Sequence, residues 1–197
     1  MSIAYHFVGP TLRGGAPIPP DGECLTYDGP VDLCVSGLHA AEHPFGALTY
    51  APGETLCLVE CDEIVAGIAD KFVCRRRRII QRIDATGLLR QFARECAAAV
   101  LPLWPAPAVV VDYLRTGDAE LRAHARATAR AFARGGRIGA AAWSAAWAAT
   151  RETRHAPLYD AAPSAWHAAK TARTVGGSLA AQRDLLAHLV NEGMGHQ

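Results

Sequence analysis

Over its first 83 residues the chain alternates apolar and polar positions in short runs; beyond that, apolar positions recur every three or four residues. The first pattern predicts strands at 3–8, 24–27, 31–35, 55–60 and 72–83. A loop over 9–22 follows from its Gly and Pro content, and Asp28-Gly29-Pro30 reads as a turn. The segment 44–50 reads as a short helix with Pro44 at its start, ended by Ala51-Pro52-Gly53. Asp62-Glu63 reads as a turn closing the fourth strand. The second pattern predicts helices at 85–100, 108–116, 118–134, 138–155, 165–174 and 178–192. Asp84 and Ser164 stand as N-caps, and Pro157 and Pro163 bracket a loop. In the first of these helices Leu88, Leu89, Phe92, Cys96 and Val100 form one stripe. The expected fold class is therefore α+β: a small β-rich module over 1–84, then an Ala-rich helical bundle over 85–197.

Composition narrows the function classes. The chain has 197 residues, half of them hydrophobic, and a net charge of +1. A sizeable core is available, and balanced charge argues against non-specific coating of nucleic acid. No basic segment leads into an apolar run at the start, and no apolar run approaches membrane-spanning length. The expectation is a cytoplasmic protein with no membrane or nucleic-acid partner. The run 75–78 is four arginines, but strand alternation sends them to opposite faces, where their stems cover apolar surface.

The six cysteines are Cys24, Cys34, Cys57, Cys61, Cys74 and Cys96. In a reducing compartment they are expected as free thiols. Cys57 and Cys61 share a strand face and lack the tight turn of a zinc knuckle. Cys34, His39 and His43 offer ligand chemistry without an obvious fourth partner, so no metal is expected. In the helical half, Trp143 and Trp147 are four apart and share a face. Packing against another helix is the expected role, with a stacking role for a ligand as the alternative.

Three motifs lie in order: Tyr5-His6-Phe7 in a strand; Gly37-Leu38-His39-Ala40 followed by Ala47-Leu48-Thr49-Tyr50; and Asp70-Lys71-Phe72-Val73-Cys74 opening a strand. This order resembles the ADP-ribosyltransferase-like superfamily over residues 3–83. The resemblance implies a split β-sheet that grips the nicotinamide-ribose half of NAD as substrate. His6 would bond a ribose hydroxyl and Tyr50 would stack on nicotinamide. Asp70 would act with His6 in catalysis, steadying the oxocarbenium-like ribose. His39 stands where that superfamily usually has an aromatic residue, and Asp70 where it usually has Glu. The chain is also similar to an uncharacterised bacterial and phage domain that begins YHFVGPTLR and carries GLHA.

On these grounds the candidate ligand-binding residues are His6, His39, Tyr50 and Arg13, the last a phosphate partner from the loop 9–22, with an arginine of Arg75–Arg78 as the alternative in that role. Three functions stand side by side. The module cleaves NAD or transfers ADP-ribose; or it holds a nucleotide without turning it over; or it caps helices that assemble with themselves or with a partner. A plainer role is open to the histidines as well: a strand or turn His bonded to backbone. Thiol titration in denaturant is expected to find six free thiols, and metal assay of the native protein no zinc; one zinc per chain would overturn this and point to Cys34, His39 and His43.

Overall fold

In a computed structural model, residues 1–150 and 160–195 are described. The chain divides into two compact units. One is Met1–Ala85 with the chain from Leu186 on; the other is Thr86–Leu185.

The first unit holds β1 (Ser2–Val8), β2 (Cys24–Thr26), β3 (Leu38–Ala40), a short helix α1 (Pro44–Thr49), β4 (Thr55–Ile68) and β5 (Lys71–Asp84). The strands are antiparallel, in the order β1-β4-β5-β2, with β3 also on β5. β1 lies on β4 with His6 opposite Cys57, and β3 lies on β5 with His39 opposite Val73. Just past β3, Ala41 and Tyr5 exchange two backbone hydrogen bonds of 2.9 and 2.8 Å. Pairing thus runs from β1 to β4, β5, β3 and back to β1, a closed circuit. Closure leaves fewer unpaired strand edges. Inside it pack Ala4, Val8, Ala40, Cys57, Val59, Cys61, Phe72, Cys74 and Ile79.

Two expectations change here. Residues 31–35 are not a strand: Asp32 and Ser36 close a tight turn, with the Ser36 amide on the Asp32 carbonyl at 2.8 Å. Gly37 then turns the chain at φ 99°, where a Cβ would come within 2.6 Å of Val73 Cγ2, and the strand begins at Leu38. Nor does the fourth strand end at Asp62-Glu63. β4 continues to Ile68 and the hairpin turns at Ala69-Asp70. Asp62 pairs with Arg76 and Ile68 with Lys71, so backbone pairing overrides the polar dipeptide.

In the second unit, α2 (Thr86–Ala98), a single 3-10 turn (Leu101–Leu103), α3 (Ala108–Thr116), α4 (Arg122–Phe132), α5 (Gly136–Ala148) and α6 (Ala161–Arg173) follow in order. α7 (Leu179–Gly195) starts in this unit and ends in the first, where the Gln81 amide donates to the Met194 carbonyl at 3.0 Å. The cap of α6 lies four residues before the expected one. Asp160 holds the N-cap position, and Pro163 fits the first turn because no helical acceptor awaits its missing N–H. Ser164 is therefore inside the helix. The expected helix 138–155 and loop 157–163 fall partly outside the described residues.

Alanines dominate the packing. Ala141, Ala142, Ala145 and Ala146 of α5 and Ala165, Ala168, Ala169 and Ala172 of α6 are all buried. Such small side chains bury little area but admit close helix approach. That approach lets side chains reach neighbouring helix carbonyls: Ser144 donates to Ala168 O at 2.8 Å, Gln182 to Ala169 O at 3.1 Å, and Tyr113 to Ala148 O at 2.9 Å.

α1 is fixed by His43, whose Nδ1 accepts from the Phe45 amide at 3.0 Å. Gly46 of α1 lies directly against the Asp70 carbonyl, where an added Cβ would overlap that oxygen. A helical Gly→Ala change ordinarily stabilises. Gly46→Ala is expected to destabilise by about 2 kcal/mol, because backbone must shift to relieve the overlap. Urea unfolding of the full chain checks the sign; an unchanged or raised midpoint would refute the close approach.

Candidate functional site

The sequence-predicted residues gather around β3 as a series of neighbours. Arg77, midway along β5, is buried at 7 % exposure. Its Nη1 donates to the carbonyl of His39. Burial holds its pKa down, while the thiols of Cys61, Cys74 and Cys57 favour its charge. His6 lies half-buried on the same strand face as Ala4 and Val8. Its pKa is held well below the ordinary imidazole value, first by burial, then by the charges of Arg77 and His39. His6 is accordingly neutral at pH 7.

His39 is engaged by its own loop. Nε2 accepts from the Cys34 amide at 3.0 Å, and the ring also bonds the Gly37 backbone. An accepting Nε2 puts the proton on Nδ1. Burial lowers its pKa, with Lys71, Arg77 and Arg13 adding to the effect against the Gly37 bond. Cys34 itself sits at φ 73°, an uncommon conformation for a residue with a side chain. The loop is held from outside by Arg13, whose Nη1 donates to the Val35 carbonyl at 3.3 Å.

The hairpin turn brings the remaining groups. Tyr50, at the C-cap of α1 and 49 % exposed, donates its hydroxyl to Asp70 Oδ2 at 3.0 Å. Burial and that carboxylate raise the phenol pKa. Lys71 Nζ stands 3.7 Å from the centre of the Tyr50 ring, a cation–π contact. Burial opposes the charge on Lys71, but its contacts with Cys34 and Tyr50 outweigh burial and raise its pKa. The exposed face thus carries Arg13, Lys71, Tyr50 and Asp70. His39 ties it to His6 and Arg77 inside.

The sequence does not single out Lys71, and it offers Arg77 only as one of the four arginines 75–78. Lys71 sits beside Asp70 in the quoted motif, but its meeting with Tyr50 follows from a hairpin turn seven residues beyond the one expected at Asp62-Glu63. Arg77 stood in the arginine run, where only its face could be anticipated. Two other members of that run are used structurally. Arg75 donates to the Gly29 carbonyl at 3.1 Å, and Arg78 pairs with Glu60. Nearby, Arg82 pairs with Asp21 and donates to the Pro19 carbonyl at 2.9 Å.

The six cysteines are free. Burial pushes the Cys57 thiol up to about 11 and that of Cys96 to about 12. Cys61 and Cys74 share a hydrogen bond that raises the first and lowers the second. Among the described residues no three His, Cys, Asp or Glu side chains gather as metal ligands. The imidazoles of His39 and His43 each accept a backbone N–H instead. No helix of the described residues is long and apolar enough to cross a membrane.

Residues 2–91 match the family model of a domain of unknown function (DUF7666). No curated protein and no solved structure matches the chain. The matched segment contains every residue of the cluster around β3.

The neutral imidazole of His6 makes stability depend on pH. Below about 6.5 the unfolded chain takes up a proton that the folded chain refuses, so stability falls as pH drops through that value. Above it this group contributes no pH dependence. The thermal midpoint of the full chain is expected to fall between pH 7.5 and 5.5, and His6→Asn to lessen the fall. His39 and His167, also lowered chiefly by burial, keep part of it. An unaltered slope in His6→Asn would refute the assignment.

Proposed function

We propose that the N-terminal unit is a binding module for a small nucleotide-type anion, with NAD and ADP-ribose the first candidates. It holds the ligand without turning it over. The observation that carries this reading is the Lys71–Tyr50–Asp70 group beside Arg13 and His39. An ammonium and a guanidinium meet phosphates. A half-exposed phenol ring gives a face for a planar group, and a carboxylate accepts from ribose hydroxyls. Near-neutral net charge suits a small ligand.

Two features favour holding over transfer. Asp70 has one oxygen engaged by the Tyr50 hydroxyl, and both ring nitrogens of His39 are occupied by its loop. An ADP-ribosyltransferase-like reaction would draw on the same Tyr50 and Asp70, with the carboxylate released to the ribose. His6 lies on the inner face, so its part is to keep a neutral ring beside Arg77 rather than to touch the ligand.

Calorimetry and thermal shift of the full chain with NAD, ADP-ribose and AMP test the reading. Saturable binding is expected, and at about 100 times the dissociation constant it adds about 2.7 kcal/mol of stability. Lys71→Ala is expected to weaken it about tenfold, a charge-assisted contact's worth, with NAD recovered intact. No response at millimolar ligand would overturn the proposal. Release of nicotinamide, lost in Asp70→Asn, would replace binding by transfer.

A further inference from the structure

Between Leu121 and Thr150 the chain carries five arginines and one histidine and no Asp or Glu. This thirty-residue stretch makes α4 and α5, and the near-zero net charge of the whole chain conceals it. Arg122, Arg126 and Arg130 follow one another at i,i+4 on α4, and Arg134 continues the spacing just past its end. Like charges at that spacing repel and weaken a helix. The opposite requirement, packing, is met by Ala125 and Ala129, both fully buried.

Beside the arginines lies a cavity of about 90 Å³ lined by Arg126, Arg130, Trp143, Ala146, Trp147 and Thr150. Trp143 is 36 % exposed. The Arg130 guanidinium stands 5.5 Å from its ring, and the rings of Trp143 and Trp147 are 6.4 Å apart at 33°. Trp147 is held in place from behind, stacked on His167 at 4.5 Å. Two indoles are thus set side by side next to a row of guanidinium groups.

We propose that this face of the helical unit binds single-stranded nucleic acid. Guanidinium groups track a phosphate backbone, and indole faces accept unstacked bases whatever their sequence. From Arg122 to Arg130 the row runs about 12 Å along α4, longer than one phosphate needs, so a strand fits better than a mononucleotide. A duplex offers phosphates but keeps its bases stacked away from the indoles. An acidic peptide would meet the arginines and leave the indoles unused. The site is separate from the cluster around β3 and does not depend on it.

Fluorescence anisotropy of the full chain with labelled oligothymidylate and its RNA counterpart tests this, with the matching duplex and polyglutamate as competitors. Binding is expected to weaken with salt, and the log–log slope to drop by about 0.7 for each arginine removed in Arg126→Ala and Arg130→Ala. Trp143→Ala, at an exposed position, is expected to cost about tenfold in affinity with the salt slope kept. Lys71→Ala is expected to bind the oligonucleotide as the wild type does, which separates this site from the one around β3. Circular dichroism of each variant confirms that its helices are intact. The proposal is overturned by absence of binding at low salt, by equal competition from duplex or polyglutamate, or by an unchanged affinity in folded Trp143→Ala.

Discussion

The N-terminal unit is organised around a cation it has enclosed. Arg77 stays charged at any ordinary pH, and removing a charge from water is expensive unless its protons find acceptors. Among the described residues no carboxylate forms an ion pair with it. Its hydrogen-bond partner is the His39 carbonyl, and Cys61, Cys74 and Cys57 favour its charge electrostatically. Much else follows from that arrangement. His6 stays neutral, first because it is buried and then because a second positive charge beside the first is disfavoured. β3 is tied to β5 by a side-chain bond as well as by the ladder, and so the loop that presents Cys34 and His39 has a fixed base.

The two units solve the packing problem by different means. In the first, closure of the strand circuit encloses a small interior filled by valines, cysteines and one arginine. In the second, alanines bring helices close, and specificity comes from three hydroxyl or amide side chains that donate to carbonyls on neighbouring helices. Those carbonyls already serve in helix hydrogen bonds or lie at helix ends, so each accepts a further bond with its second lone pair. Uniform alanine faces would otherwise allow one helix to slide along another.

The sequence made the change from β to α near Asp84 legible, because hydrophobic spacing changes there from two to between three and four. β1, α1 and α3 were readable to within a residue or two for the same reason, helped by Pro44 and Gly117. β3 was not: three residues give no periodicity, and Val31 to Val35 offered a better alternation that a turn pre-empts. The long arms of the β4–β5 hairpin were hidden by Asp62-Glu63, whose polarity suits a strand exposed on both faces equally well. At the site, His6, His39, Tyr50 and Asp70 were visible as residues in motifs. Lys71, Cys34 and Arg77 were not visible as their partners, because each meeting depends on register between distant segments.

The path of α7 has a consequence for how the chain holds together. The chain leaves the β unit once, after Ala85, and returns to it at Leu186 inside an unbroken helix. The stretch Thr86–Leu185 is therefore preceded and followed in sequence by segments of the β unit. Ring closure restricts the unfolded conformations of the intervening hundred residues, and only slightly more than it would restrict a shorter loop. The dependence also runs the other way: a chain cut after residue 91 would lose the returning helix and the Gln81–Met194 bond with it. The matched segment thus lacks the C-terminal part of the unit that holds most of it.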